Sequence, residues 1–140
     1  MSKIFFLLLF STIAFSESSF WSYNHSYSLK KDKLVRVEIK KDYLPTKKSD
    51  GILEFRWTLY KAKKLVLLVS YEGFKTQYLL EKKHKRDVVS INLIGDYKSV
   101  GSRSFAIIKF SDFDDRKKVA NLEVMIRDEN KRMEVRFLDD

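Results

Sequence analysis

Two histidines and one run of carboxylates are the residues of this 140-residue chain best suited to catalysis or metal binding. His25 and His84 lie far apart, and His84 sits among lysines, where like charge disfavours both protonation and a cation ligand. The run Asp112–Asp115 (DFDD) offers hard oxygens for Ca²⁺. It lacks the glycine and the bidentate glutamate of an EF-hand loop, and three basic residues follow it directly. The chain has no cysteine, which excludes thiolate metal ligands.

Local signatures of enzymes are also missing from the sequence. There is no G-x-S-x-G, no H-E-x-x-H and no glycine-rich phosphate loop. A Ser-His-Asp triad assembled by folding stays open, because its order in the sequence is free. The sequence therefore predicts no catalytic residue, no metal site and no cofactor.

The remaining chemistry is electrostatic, since the chain carries a net charge of +9. Charged segments fall at Lys30–Lys33, Lys61–Lys64, Glu81–Asp87 and Asp112–Lys118. In a simple up-and-down meander, alternate connections lie at the same end of the sheet, so these four would share one end with a joint charge of +7, less 2 for the terminal Asp139 and Asp140. Two of them supply the predicted binding residues, here called the basic pole: Lys61, Lys63, Lys64, Lys82, Lys83, Lys85 and Arg86. The alternative is that Greek-key crossings scatter these turns over an ordinary basic surface.

The elements that would position these charges are β-strands, and Gly51–Leu80 carries the strongest pattern. Leu53, Phe55, Trp57 and Leu59 alternate with Glu54, Arg56, Thr58 and Tyr60, which places the first four inward and the second four outward. Leu65–Tyr71 is apolar on both faces, as in a strand covered on two sides. Gly73 then supplies the positive φ of a hairpin, and Phe74–Leu80 alternates again. We expect Trp57 to be mostly buried.

The same alternation predicts strands on both sides of this nucleus. Phe20–Leu29 presents an aromatic stripe, which indicates an edge strand packed on the core, or alternatively a stacking platform for a flat ligand. The other predicted strands are Leu34–Lys40, Val88–Ile94, Ser104–Phe110, Val119–Arg127 and Arg132–Leu138, with loops at Asp42–Asp50 and Gly95–Arg103. We expect the last two strands to pair as a hairpin, with Leu122, Val124 and Ile126 facing Met133, Val135 and Phe137. The prediction is an all-β domain, a single antiparallel β-sandwich or small β-barrel of about eight to nine strands.

The first sixteen residues have the pattern of a secretory signal peptide. Lys3 is a short basic region, Ile4–Phe10 is an apolar core, and Ala14–Ser16 places small residues before a cleavage point. The predicted organisation is therefore a signal peptide at 1–16 and one all-β domain at 17–140, with no transmembrane span after cleavage. Because an exported chain without cysteines has no disulfides, a bacterial periplasmic or secreted location is predicted.

These observations favour a non-enzymatic domain that binds an envelope protein or an anionic surface. Outside the cytoplasm the abundant polyanions are lipid head groups, lipopolysaccharide and acidic glycans, so no nucleic acid is expected as a partner. A second class is a small barrel that carries a lipid or another apolar ligand. A third is an enzyme that acts on an envelope polymer. Large inward residues such as Phe55 and Trp57 favour a filled core over a hollow one.

Overall fold

The computed structural model describes residues 20–41, 51–93, 104–129, 131 and 133–138, and most of them lie in β-strands. The strands are β1 (Tyr23–Lys30), β2 (Val35–Lys41), β3 (Gly51–Lys61), β4 (Lys64–Tyr71), β5 (Phe74–Glu81), β6 (Val88–Asn92), β7 (Ser104–Asp114), β8 (Val119–Asp128) and β9 (Met133–Leu138). Within these ranges the one helical segment is a short 3₁₀ turn at Lys83–Lys85, so no described helix could span a bilayer. The predicted signal peptide and the predicted loops 42–50 and 95–103 lie outside the described residues.

The strands form two antiparallel sheets, which confirms the all-β prediction. The four-stranded sheet has the order β1-β8-β7-β6, and the five-stranded sheet has the order β5-β4-β3-β2-β9. The described strands of the two sheets are not joined into a closed barrel, so the barrel alternative is wrong. The strand β1 lies at the edge of its sheet, as its aromatic stripe predicted.

The inward faces of both sheets pack into one hydrophobic core. Alternation along β2 buries Val35, Val37 and Ile39, as predicted, and the long strands of the two sheets contribute Phe55 and Phe110 to the same cluster. Trp57 is 4% exposed, which confirms its predicted burial. The two sheets therefore face each other in a sandwich-like arrangement.

Polar groups at the core boundary also bond from one sheet to the other. The Trp57 Nε1–H on β3 donates to the Leu29 carbonyl on β1 over 2.8 Å. The Tyr71 hydroxyl on β4 donates to the Leu93 carbonyl over 2.8 Å. Such bonds satisfy groups that would otherwise be buried without partners, and they fix how the sheets lie on each other.

The predicted hairpin of the last two strands is wrong. β8 pairs with β1 and β7, whereas β9 pairs with β2 in the other sheet, Val37 opposite Phe137. The reason is that β1 and β7 already occupy both edges of β8, so β9 can complete its hydrogen bonds only on the free edge of β2. The connection between them is a crossover, and Asp128 at its start is buried.

Two details of the central strands also depart from the sequence pattern. The outward residues Val66 and Leu68 of β4 are only partly buried, so the prediction of a strand covered on both faces is wrong. The register of β3 against β4 shifts between Trp57 and Leu59, which leaves Thr58 as the extra residue of a β-bulge. The predicted faces of the last two residues are therefore exchanged: Leu59 is exposed, and Tyr60 packs against the core. The β4–β5 turn is as predicted, with Gly73 at φ 82°.

Candidate functional site

The residues of the basic pole all lie at one end of the domain and are exposed. Strand pairing sets Lys61 opposite Lys64 and Lys64 opposite Glu81. Neighbouring strands are about 5 Å apart, so the β3–β4 turn and the start of the β5–β6 connection lie within about 10 Å of each other. The other members of the pole, Lys82 to Arg86, follow Glu81 directly.

The other two charged segments reach the same end of the domain. Within each sheet, adjacent strands run antiparallel. The chain crosses between the sheets at β1–β2, β5–β6 and β8–β9, and each crossing also joins strands that run in opposite directions. Every second connection therefore lies at the same end of the domain. Lys31 of the β1–β2 turn and Lys118 of the β7–β8 turn line one cleft together with Lys61. The crossings between sheets therefore bring the basic turns together instead of scattering them.

Backbone hydrogen bonds hold these turns in place. The Asp32 N–H donates to the Trp57 carbonyl over 2.9 Å, which ties the β1–β2 turn to the bulge of β3. The Glu81 N–H donates to the Arg86 carbonyl over 3.0 Å and closes the β5–β6 connection. Asp114 Oδ1 accepts the N–H groups of Arg116 and Lys117 over 2.9 and 3.1 Å, an Asx-type turn. The cations are thus carried on a structured scaffold.

Three lysines of this end stand at backbone positions that ordinarily favour glycine or asparagine. Lys63, Lys85 and Lys118 have φ of 61°, 55° and 55°, in the left-handed region. A residue with a Cβ pays about 1 kcal/mol or more there. Ala62 in the same turn as Lys63, and Glu72 and Lys131 at the opposite end of the domain, also have positive φ, so this conformation is a property of the tight turns at both ends.

Aromatic rings close the core beneath the lysines. Tyr60 and Phe113 stack with their centroids 3.9 Å apart and an interplanar angle of 17°. Trp57 meets the edge of Phe113 at 5.5 Å, and Phe110 lies 6.2 Å from Tyr60. We refer to these four residues as the aromatic cluster.

Paired β-bulges, one in each sheet, create this cluster. The register of β7 shifts between Phe110 and Asp112, just as that of β3 shifts after Trp57. One extra residue reverses the alternation, so an aromatic three positions later faces inward again. The prediction that β7 ends at Phe110 in a charged turn from Asp112 is therefore wrong, because β7 continues to Asp114.

The bulges had a sequence signal that simple alternation misses. Trp57 and Tyr60 are three residues apart, and so are Phe110 and Phe113. In a regular strand only even spacings share a face. An odd aromatic spacing near the end of each of two strands therefore marks the places where one residue is extra. Tyr60 and Phe113 are the site residues that alternation alone failed to identify.

A cleft lies on each side of the Tyr60–Phe113 stack, and basic residues line both. The first encloses about 500 Å³ and is lined by aromatic residues, Leu59, Lys31, Lys61, Lys118 and Asp115. The second encloses about 390 Å³ and is lined by Lys63, Lys82, Lys83 and Glu81 around Phe110 and the stack. Each cleft combines an aromatic wall with several ammonium groups, an arrangement suited to anionic groups that carry an apolar portion.

Two of the three carboxylates of the DFDD run accept hydrogen bonds from neighbouring protein groups, and the third, Asp115, lines the first cleft. Asp112 Oδ1 accepts a hydrogen bond from Asn121 Nδ2 over 2.5 Å, and Asp114 caps its own turn. In the part of the chain that the structure describes, no group of three or more His, Asp or Glu side chains is arranged to hold a metal ion. His25 stacks on Phe137 at 5.0 Å, and His84 is exposed in the 3₁₀ turn.

The phenol of Tyr60 provides a titratable probe of the first cleft. Burial raises its pKa above the ordinary value of 10.0, and the negative charge of Asp115 adds to the effect. Because the folded state holds this proton more tightly than the unfolded state, the stabilisation is present below the ordinary pKa and is lost as pH rises through the raised value. We expect Asp115→Asn to move the pKa of Tyr60 back toward its ordinary value.

The measurement is an ultraviolet titration of tyrosinate. The curve of Tyr60 is obtained by subtracting, for the unmodified protein and for each aspartate variant, the titration of the same protein that also carries Tyr60→Phe. Asp112→Asn is the matched control, because Asp112 bonds Asn121 and is absent from the lining of both clefts. It should leave the Tyr60 curve in place. Equal shifts from both substitutions would show that Asp115 has no particular influence on Tyr60.

Comparisons with models of protein families, with curated proteins and with solved structures found no match to this chain.

Proposed function

We propose that this domain is a non-enzymatic binding module of the bacterial envelope that docks its basic end on an anionic surface. The observation that carries the proposal is the gathering of four charged turns with a joint charge of +7 at one end of two face-to-face sheets. We also propose that the segment 1–16 directs export and that the two sheets form a β-sandwich.

Electrostatics supports an anionic partner for this end. Ammonium groups held within about 10–15 Å of one another repel, and at physiological salt, with a Debye length of about 8 Å, the repulsion is only partly screened. An anionic surface offsets that repulsion, since each basic residue near anionic lipid gains about 1 kcal/mol.

The other predicted functions have less support. A carrier of an apolar ligand needs a hollow interior, whereas the large side chains Phe55, Trp57 and Phe110 pack between the sheets. The clefts that flank the Tyr60–Phe113 stack open at the end of the domain and are rimmed by charge. Action on an envelope polymer has no observation in its favour, and docking on an envelope protein is an outcome of the test below.

The test is binding to lipid vesicles. We expect the protein to co-sediment at low salt with vesicles that contain phosphatidylglycerol and not with pure phosphatidylcholine, and to be released at high salt. Changing all seven residues of the basic pole to glutamine should abolish retention, because the attraction of about 1 kcal/mol per residue is removed. Lipopolysaccharide serves as a second anionic surface in the same assay.

A variant of equal charge controls for the overall electrostatics. It carries glutamine at seven cations outside the four charged segments: Arg36, Lys40, Lys75, Lys98, Lys109, Lys131 and Arg136. This variant should keep most of the binding if location matters. Equal loss of binding in both variants would show that binding depends on the net charge of the protein and not on where the charges lie. If the unmodified protein binds neither anionic surface, an envelope protein is favoured as the partner.

A further inference from the structure

An apolar row crosses the outward face of the five-stranded sheet next to the basic pole. Pairing places Leu59 of β3 opposite Val66 of β4, and Val66 opposite Leu79 of β5. Leu59 is 50% exposed and Leu79 is 57% exposed, while Val66 between them is partly buried. Isolated apolar residues are ordinary at protein surfaces, but these three are cross-strand neighbours and form a continuous strip. We call this strip the apolar row.

Along the strands the apolar row is bordered by cations on both sides, with one carboxylate, Glu81, opposite Lys64. Lys61 and Lys64 lie two residues nearer the end of the domain and on the same outward face, about 7 Å away. On the other side Arg56 and Leu68 line a groove of about 470 Å³ on the same face. Leucines framed by lysine and arginine are typical of surfaces that lie in the interface of a membrane, where long cationic side chains reach the head groups while apolar groups enter the acyl region.

The β-bulge is what exposes Leu59. In a regular strand this leucine would continue the buried series Leu53, Phe55 and Trp57, but the extra residue Thr58 turns it out of the core and brings Tyr60 in. The same irregularity that builds the aromatic cluster therefore supplies the apolar row with its first residue. A leucine that is half exposed to water gains free energy when a bilayer covers it, in proportion to the apolar area buried.

We infer that the domain docks in a tilted orientation on a bilayer containing anionic phospholipid, with Leu59 and Leu79 inserted below the phosphates and the basic pole among them. This inference rests on the proposed function and adds the lipid class, the face and the orientation. An end-on orientation would instead immerse the tip of the β3–β4 turn at Ala62 and keep the apolar row in water. The net charge of this end matches an extended anionic surface, which argues for a bilayer over a protein partner.

The absence of cysteine from the sequence allows a direct test. Single cysteines at positions 59 and 79, introduced as Leu59→Cys and Leu79→Cys, are labelled with an environment-sensitive fluorophore. On phosphatidylglycerol vesicles both labels should shift to the blue and be quenched by lipids brominated on the acyl chains. Ile52→Cys is the matched control, because Ile52 is 44% exposed on the same face of the same strand, about 20 Å from Leu59. Its label should not respond.

A label at Ala62→Cys separates the two orientations. If it responds while the labels at 59 and 79 do not, the domain docks end-on and the inference is overturned, although the proposed function survives. If the protein sediments with the vesicles and no label responds, binding is purely electrostatic and the insertion is again refuted. If the unmodified protein binds lipopolysaccharide but not anionic vesicles, the inference is overturned and the proposed function survives; if it binds neither surface, the proposed function itself fails.

Affinity gives a second readout that does not depend on a label. The double variant Leu59→Ser/Leu79→Ser should weaken partitioning onto phosphatidylglycerol vesicles about tenfold, as expected when two half-exposed leucines no longer enter the bilayer. Its salt dependence should be unchanged, because the basic pole is intact. Ile52→Ser should bind like the unmodified protein. Equal affinities for the double variant and the control would contradict insertion of the apolar row.

Discussion

Replacing Trp57 with alanine should lower the free energy of unfolding by about 3–5 kcal/mol, as truncation of a large buried aromatic usually does. The indole is 4% exposed and contacts the edge of the Phe113 ring at 5.5 Å. Its Nε1–H also donates to the Leu29 carbonyl of the other sheet. The substitution leaves a cavity in the core at the basic end of the domain and removes the donor to the Leu29 carbonyl. Denaturant titration followed by circular dichroism measures the change.

Trp57→Phe separates the cavity from the hydrogen bond. Phenylalanine keeps most of the apolar contact but removes the N–H donor and the pyrrole part of the ring, so the loss should be about 1–2 kcal/mol. A loss well under about 1 kcal/mol for Trp57→Ala, or strong quenching of Trp57 fluorescence by an aqueous quencher in a Trp21→Phe background, would contradict a buried Trp57.

Replacing Asp128 with alanine should lower the free energy of unfolding by about 1.5–3 kcal/mol, the range for hydrogen bonds to a charged group. Asp128 is 4% exposed at the point where the chain leaves β8 for the other sheet. Its Oδ2 accepts the Met133 N–H over 2.8 Å, and its Oδ1 accepts the Ser104 hydroxyl over 3.4 Å. Without the carboxylate, the first residue of β9 keeps a buried N–H with no acceptor.

Two variants control for this effect on unfolding. Asp128→Asn keeps a side-chain oxygen that can accept the Met133 N–H, so it should cost less than the alanine variant. Ser104→Ala removes only the long 3.4 Å bond and should cost under about 1 kcal/mol. If Asp128→Ala is no more destabilising than Ser104→Ala, the carboxylate does not hold the crossover together.

The pleat of a strand is a local property, and this is why the sequence predicted strand faces well. Side chains alternate wherever the backbone is extended, so the inward series Val35, Val37 and Ile39, and the burial of Trp57, followed from spacing alone. The turn at Gly73 was equally local, because one residue without a Cβ marks a left-handed backbone. The edge position of β1 followed from its stripe of aromatic residues with polar tips.

The partners of the strands were decided only in the tertiary structure. Short connection length made β8 and β9 a predicted hairpin, but the edges of β8 are taken by β1 and β7, and β9 joins β2. Pairing depends on which edges are free once all strands have assembled. The strands that compete for an edge can lie far apart in the sequence, as do the paired residues Tyr23 and Ile126.

The composition of the basic pole could be predicted from the sequence, whereas its surroundings could not. The lysine-rich turns were visible as runs of charge, but the aromatic cluster and the apolar row depend on one extra residue in each of β3 and β7. A bulge is stable only if the partner strand and the opposite sheet accommodate the reversed side chains. Here Tyr60 and Phe113, one from each sheet, stack on each other. Residue types and local spacing thus determined the charges and the strand faces. Packing between the sheets decided that Tyr60 turns inward and Leu59 turns outward, because a ring can be buried there only against its partner from the other sheet.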